Sequence, residues 1–253
     1  MATNRTMKAS LPLVISGALL FLHGYGHAAE ASAPVLPPGL RQGYIVPQET
    51  LSPDGRYGIT AFDDTVNEIP DQVDDNKLIE VKTGRILASV RSSGSIQRTG
   101  YMTYENHGGI LPTRWSSDGN LALWEVEGKW GVAAIVLLVL KDAKVTQQLD
   151  ILTTIQHAIL RETQKAAPKA YSKAKIDDAG TGSAYPEGFT VDADVSGPIK
   201  FPLQVVAALT SNPKGDEGMT ELDSHLEGTI NEKGELKVTL FKLGHVTPPH
   251  GAW

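Results

Sequence analysis

Cysteine is absent from all 253 residues. That absence excludes disulfides, thiolate metal sites, a cysteine nucleophile and lipid attachment at a cysteine. A basic surplus is missing too: 23 Lys and Arg stand against 29 Asp and Glu, a formal charge of −6. Nothing here attracts nucleic acid or an anionic lipid surface over a distance. The most apolar stretch near the N-terminus, Leu11 to Leu22, has twelve residues, short of the roughly 20 a transmembrane helix needs. Also lacking are His-Glu-x-x-His, Gly-x-Ser-x-Gly, Walker and Gly-x-Gly-x-x-Gly patterns, the local marks of zinc peptidases, α/β-hydrolases, nucleotide-phosphate binders and dinucleotide binders.

What is present begins with an export signal. Arg5 and Lys8 make a basic start, the apolar run follows, and Ala28, Ala29 and Ala31 supply small residues for cleavage, the form of a secretory signal peptide over 1–31. Its removal after Ala31 takes the formal charge from −6 to −7 and leaves no integral membrane segment. The expected location is therefore periplasmic or extracellular. At 41% hydrophobic and 21% charged residues, the composition is that of an ordinary globular protein. Residues 32–42 carry Pro34, Pro37 and Pro38 and read as a linker.

The body of the chain reads mainly as strand. Gly43–Gln48 is a first strand, placed at an edge by Pro47, and Tyr57–Phe62 a second. Leu78–Val81 and Ile86–Val90 flank the Lys82-Thr83-Gly84-Arg85 turn as a hairpin. Tyr101–Tyr104 suits a short strand, and His107-Gly108-Gly109 irregular backbone. Leu121–Val126 and Trp130–Leu140 form the strongest β segment. The apolar run Val132–Leu140 predicts a central strand covered on both faces, with Trp115, Trp124 and Trp130 packed near it. Then the period changes: Leu149, Leu152, Ile155, Ile159 and Leu160 make one stripe of a helix at about 150–167, although Val145–Leu149 also alternates as a strand does. Pro168 predicts a break and a short continuation to Lys175. Strands are expected again at Phe189–Val195, Phe201–Leu209, Leu226–Ile230 and Leu236–Leu243.

Two turns recur. Ser52-Pro53-Asp54-Gly55-Arg56-Tyr57 and Ser116-Ser117-Asp118-Gly119 each feed a strand, and Thr83-Gly84-Arg85 joins two more. Over residues 44–140 this resembles the repeat of TolB-like, WD40-related β-propellers, in which such residues shape turns rather than perform catalysis. The copies lie 64 residues apart and only two occur, against blades of roughly 40–50 residues and at least about four blades in a propeller. The expected fold is thus α+β, mainly β: antiparallel blade-like sheets with one main helix, not a closed propeller. A single domain over 43–244 is expected, with sub-lobes 43–140 and 185–244 joined by the helix and a flexible tail at 245–253.

Candidate chemistry is sparse. Lys82-Thr83-Gly84, Tyr104-Glu105-Asn106 and Ser172-Lys173-Ala174-Lys175 each look like one element of a serine β-lactamase site, but in those enzymes Ser-x-x-Lys comes first and Lys-Thr-Gly last. Here the order is inverted. His157 lies near Arg161 on the polar side of the helix, and His245 and His250 lie in the tail. The acidic run Asp63, Asp64, Asp71, Asp74 and Asp75 offers hard oxygen donors suited to calcium in an exported protein, though it lacks the EF-hand pattern and a solvated loop is the ordinary fate of such a run. With His107 these aspartates are the candidate binding residues, and 63–76, 91–100 and 105–112 the candidate contact loops. The function these features suggest is exported, non-catalytic binding or envelope-associated scaffolding, without a required cofactor. The alternative is an extracytoplasmic hydrolase whose site assembles only in the fold.

Overall fold

Each Ser-x-Asp-Gly turn is wired by its own side chains, and the two wirings match. The computed structural model describes residues 37–63, 76–90, 109–128, 131–175, 186–211 and 222–244. The expected signal peptide, the tail, Trp130 and the strand at Tyr101–Tyr104 lie outside them. Ser52 Oγ donates to Asp54 Oδ1 at 2.6 Å and accepts from Tyr57 N at 2.9 Å, while Arg56 N donates to Asp54 Oδ1 at 3.0 Å. In the second turn Ser116 Oγ donates to Asp118 Oδ1 at 2.5 Å and accepts from Leu121 N at 2.8 Å, with Asn120 N on Asp118 Oδ1 at 3.1 Å. Gly55 and Gly119 both take positive φ, 68° and 70°, the conformation that glycine adopts without strain.

In both turns the serine hydroxyl, and next the backbone N–H two residues on, hold the aspartate below its usual pKa. Because folding lowers these pKa values, the stability they carry is complete above the unfolded-state value of about 4 and is lost as pH falls through the lower folded value. We expect the melting temperature to drop as pH falls below about 4, and the double variant Asp54→Asn/Asp118→Asn to flatten that acid limb. Parallel acid limbs in melting curves of the two proteins would remove the turns from the account.

The turns open two antiparallel sheets. The first comprises β2 (Tyr57–Ile59), β4 (Lys77–Glu80) and β5 (Arg85–Ser89), while β1 (Tyr44–Ile45) pairs with β3 (Ala61–Phe62) beside it. The run expected as one strand from Tyr57 to Phe62 is divided at Thr60, whose N–H and carbonyl turn to Lys77 O and Asn76 Nδ2. The second sheet has β10 (Lys144–Asp150), β9 (Gly131–Lys141) and β8 (Leu121–Gly128) in that order, with β6 (Gly109–Ile110) and β7 (Arg114–Trp115) both on β8. Gly109, expected to be irregular, is thus paired. The ambiguous stretch 145–149 is strand, because β9 offers it a ladder.

At Asp150 the chain passes from β10 directly into helix α1 (Ile151–Ala166), capped by the Asp150 side chain accepting from Thr153 N at 3.0 Å. Pro168 starts α2 (Pro168–Ala174), as its fixed φ and missing N–H favour. A third sheet follows as a plain meander: β11 (Phe189–Ser196), β12 (Leu203–Ser211), β13 (Asp223–Ile230) and β14 (Leu236–Leu243). The fold is α+β and mainly β, and no closed propeller forms among the described residues.

Alternation decides which face packs where. Ala122, Trp124 and Val126 of β8 pack toward Tyr57, Ile59 and Leu78 of the first sheet. Leu123, with Ile135 and Leu137 of β9, packs toward α1, α2 and the third sheet. Every residue from Ala133 to Leu138 is buried, so β9 is the central strand its apolar run predicts. Trp115 lies partly buried against the first of these clusters, its ring stacked on Tyr57 at 6.4 Å.

Three outer strands share a device. Pairing passes over one residue in each of β5, β10 and β14: Leu87, Thr146 and Thr239. These bulges, with Arg85, Lys144 and Lys237 on the same strands, twist and charge the edges against pairing with other chains.

The β9–β10 hairpin turns on Asp142 and Ala143, both at positive φ, 51° and 55°. A two-residue turn of this hand favours Asn-Gly. Ala143→Gly is therefore expected to raise stability by about 0.5–1 kcal/mol, reduced by any packing its methyl supplies. Urea unfolding checks this, and a loss would show that the methyl's packing wins.

Candidate binding surface

Asn76 ties together the roots of the two segments that the sequence marks as contact loops. Its Nδ2 donates to Thr60 O at 2.7 Å, and its backbone carbonyl accepts from Val90 N at 2.8 Å. Beside it Lys77 N donates to Thr60 Oγ1 at 2.9 Å, and Lys77 Nζ donates to Ser89 Oγ at 2.9 Å. Asn76 is buried. Segment 64–75 therefore rejoins, and segment 91–108 leaves, at one end of the first sheet, where Lys77 pairs with Ser89; segment 64–75 leaves from Asp63, just past β3. Residue types alone did not reveal this knot; the weak signal was an asparagine where an acidic run meets a strand.

Of the candidate binding residues, Asp63 is placed: it is half-buried, and its N–H donates to Gly43 O at 2.8 Å. Asp64, Asp71, Asp74, Asp75 and His107 lie outside the described residues. Of the span 105–112, Gly109 and Ile110 are strand, and Leu111 N donates to Glu125 O. Among the described residues no three His, Asp or Glu side chains gather as a metal site.

Of the β-lactamase-like elements, Tyr104-Glu105-Asn106 lies outside the described residues, and the other two make contacts of their own. Lys82-Thr83-Gly84 is the β4–β5 turn, where the Thr83 hydroxyl donates to Glu80 Oε2 at 2.7 Å and holds that carboxyl below its usual range. Lys175 Nζ lies 3.4 Å from Glu187 Oε2, which also accepts from the Tyr171 hydroxyl at 2.8 Å. Burial, then Glu187, pushes the Tyr171 pKa upward, so this phenol stays protonated and is a poor acid. His157 is exposed.

A second polar group lies on the third sheet. Asp192 and Asp194 alternate with the core residues Val191, Ala193 and Val195, and so occupy the opposite face of β11. His225 and Glu227 share that face two strands away, with His225 Nε2 at 3.1 Å from Glu227 Oε1. Arg114 reaches Asp194 from the second sheet at 3.2 Å while holding Glu125 through two contacts, at 3.0 and 3.2 Å. It also donates to Val195 O, so this guanidinium is committed to joining two sheets.

No family model, curated protein or solved structure matches the chain.

Proposed function

We propose that the chain is an exported, non-catalytic binding or envelope-associated scaffold protein, and that segments 63–76, 91–100 and 105–112 form its contact surface. The observation that carries this reading is the Asn76 knot, which roots two of those segments at one end of a sheet packed on a second sheet. A rigid base with long variable connections at one end is how binding surfaces are commonly built. The matched wiring of the Ser-x-Asp-Gly turns supports reading residues 44–140 as TolB-like repeats used as scaffold. The acidic run gives the surface its charge and is where calcium would act.

The test replaces 64–75 and 91–100 with Gly-Ser segments of equal length and compares capture of envelope proteins and the calcium response of the melting temperature. Capture by the natural chain and its loss in the replaced chain, with the sheets still folded by circular dichroism, is expected. Hydrolysis of ester, amide or glycoside substrates, abolished by one polar substitution, would replace this reading with the hydrolase.

A further inference from the structure

The outer face of the first sheet, opposite the one packed on the second, has a cover made from residues 37–51. Gly58 on β2 stands opposite Ile79 on β4, and Ile79 opposite Ile86 on β5. Tyr57 and Ile59 face the second sheet, so Gly58, Ile79 and Ile86 form one row on the other side. Val46 and Leu51 lie on Gly58: a Cβ added there would meet Val46 Cγ1 at 2.4 Å and Leu51 Cδ2 at 3.0 Å. Pro38 crosses the β4–β5 turn so closely that a Cβ on Gly84 would fall 1.9 Å from the Pro38 carbonyl oxygen. Tyr44 packs edge-on to Phe62 at 5.5 Å. The cover stops short of the last strand: Ile79 is fully buried, whereas Ile86 is 61% exposed. It is held by few ladder pairs, two between β1 and β3, and otherwise by close approach over the two glycines.

We propose that residues 37–51 are a strap that keeps this apolar row from self-pairing, and that the row, once bared, is occupied by the same row of a second copy. The second copy is favoured because the sheet's other face is already covered by a sheet of like design from the same chain, stacked through alternate apolar residues. A two-fold axis through the row sets Ile79 and Ile86 against their own equivalents, a self-complementary contact that closes at two copies. The bulge and Arg85 on β5 disfavour strand addition at that edge of the first sheet, the edge beside Ile86, and so favour face-to-face stacking there.

Two full-length variants release the strap in different ways. Gly84→Val drives a side chain into the Pro38 carbonyl, and Val46→Asp places a charge against Gly58 while leaving the turn intact. Hydrogen exchange at Asp63 N, which donates to Gly43 O, reports the strap, and light scattering reports mass. We expect at least about tenfold faster exchange at Asp63 with a doubled mass in either variant, and return to the monomer mass when Ile86→Lys is added. Fast exchange at monomer mass would overturn the self-pairing row. A mass increase indifferent to Ile86→Lys would do the same, and unchanged exchange in both variants would overturn the strap.

Discussion

Phe189→Ala is expected to cost about 3–5 kcal/mol, the range for emptying a fully buried aromatic site. Phe189 is completely buried at the start of β11, and its ring lies 4.9 Å from that of Tyr171 in α2. The short helix after Pro168 thus depends on the first residue of the third sheet, and truncation removes apolar burial and a ring contact together. The vacated space cannot refill easily, because Tyr171 is tethered through its hydroxyl to Glu187. Tyr171→Phe separates the two contributions: it keeps the ring and deletes one hydrogen bond, for an expected loss of about 1 kcal/mol. Urea unfolding of both variants measures the difference. A Phe189→Ala cost below about 1 kcal/mol would show that the α2–β11 contact lies outside the cooperative core.

The sequence made some of this fold legible because local rules act within a few residues. Val132–Leu140 is apolar at every position, and only a strand covered on both faces accommodates that; β9 is such a strand. Pro168 stops α1 because its ring disfavours helical backbone at Ala167, the residue just before it. Other features depend on partners far along the chain. Thr60 divides its strand because Lys77 and Asn76 meet it there. Leu149 belongs to β10 rather than to the helix stripe because β9 supplies a ladder. The Asn76 knot joins Thr60, Asn76 and Val90, and no spacing within any one segment announces it. The acidic residues proposed for binding have only Asp63 among the described residues, so charge identified them without placing them.

Why a propeller does not close also follows from packing. A blade exposes two apolar faces and needs a neighbour on each. Here the far face of the second sheet is taken by α1 and the third sheet, through Leu123, Ile135 and Leu137. The outer face of the first sheet is taken by Val46 and Leu51 over Gly58. Two sheets with a cover at each end have no place for a third blade.

The second large effect is expected at Arg114. Its guanidinium makes two contacts to Glu125 and one to Asp194, and donates to the Val195 carbonyl on β11. It is the described ion pair that joins the second sheet to the third, between residues 80 positions apart. Glu125 is nearly enclosed, with its side chain 10% exposed, whereas Arg114 retains 34%. Arg114→Met keeps most of the aliphatic stem and removes the guanidinium that makes two contacts to the Glu125 carboxylate. Breaking a fully buried pair costs about 3–5 kcal/mol; partial exposure of Arg114 admits water, so about 2–3 kcal/mol is expected. Glu125→Gln should cost less, because the amide still accepts from Arg114 and strands no charge. The double variant Arg114→Met/Glu125→Gln should then recover part of the Arg114→Met loss, a coupling that a double-mutant cycle in urea reads directly. Additive losses would mean that Arg114 acts through the Val195 carbonyl and its own packing. Recovery would assign most of the Arg114→Met loss to the Glu125 charge within the second sheet, and the remainder to the Asp194 and Val195 contacts that reach the third.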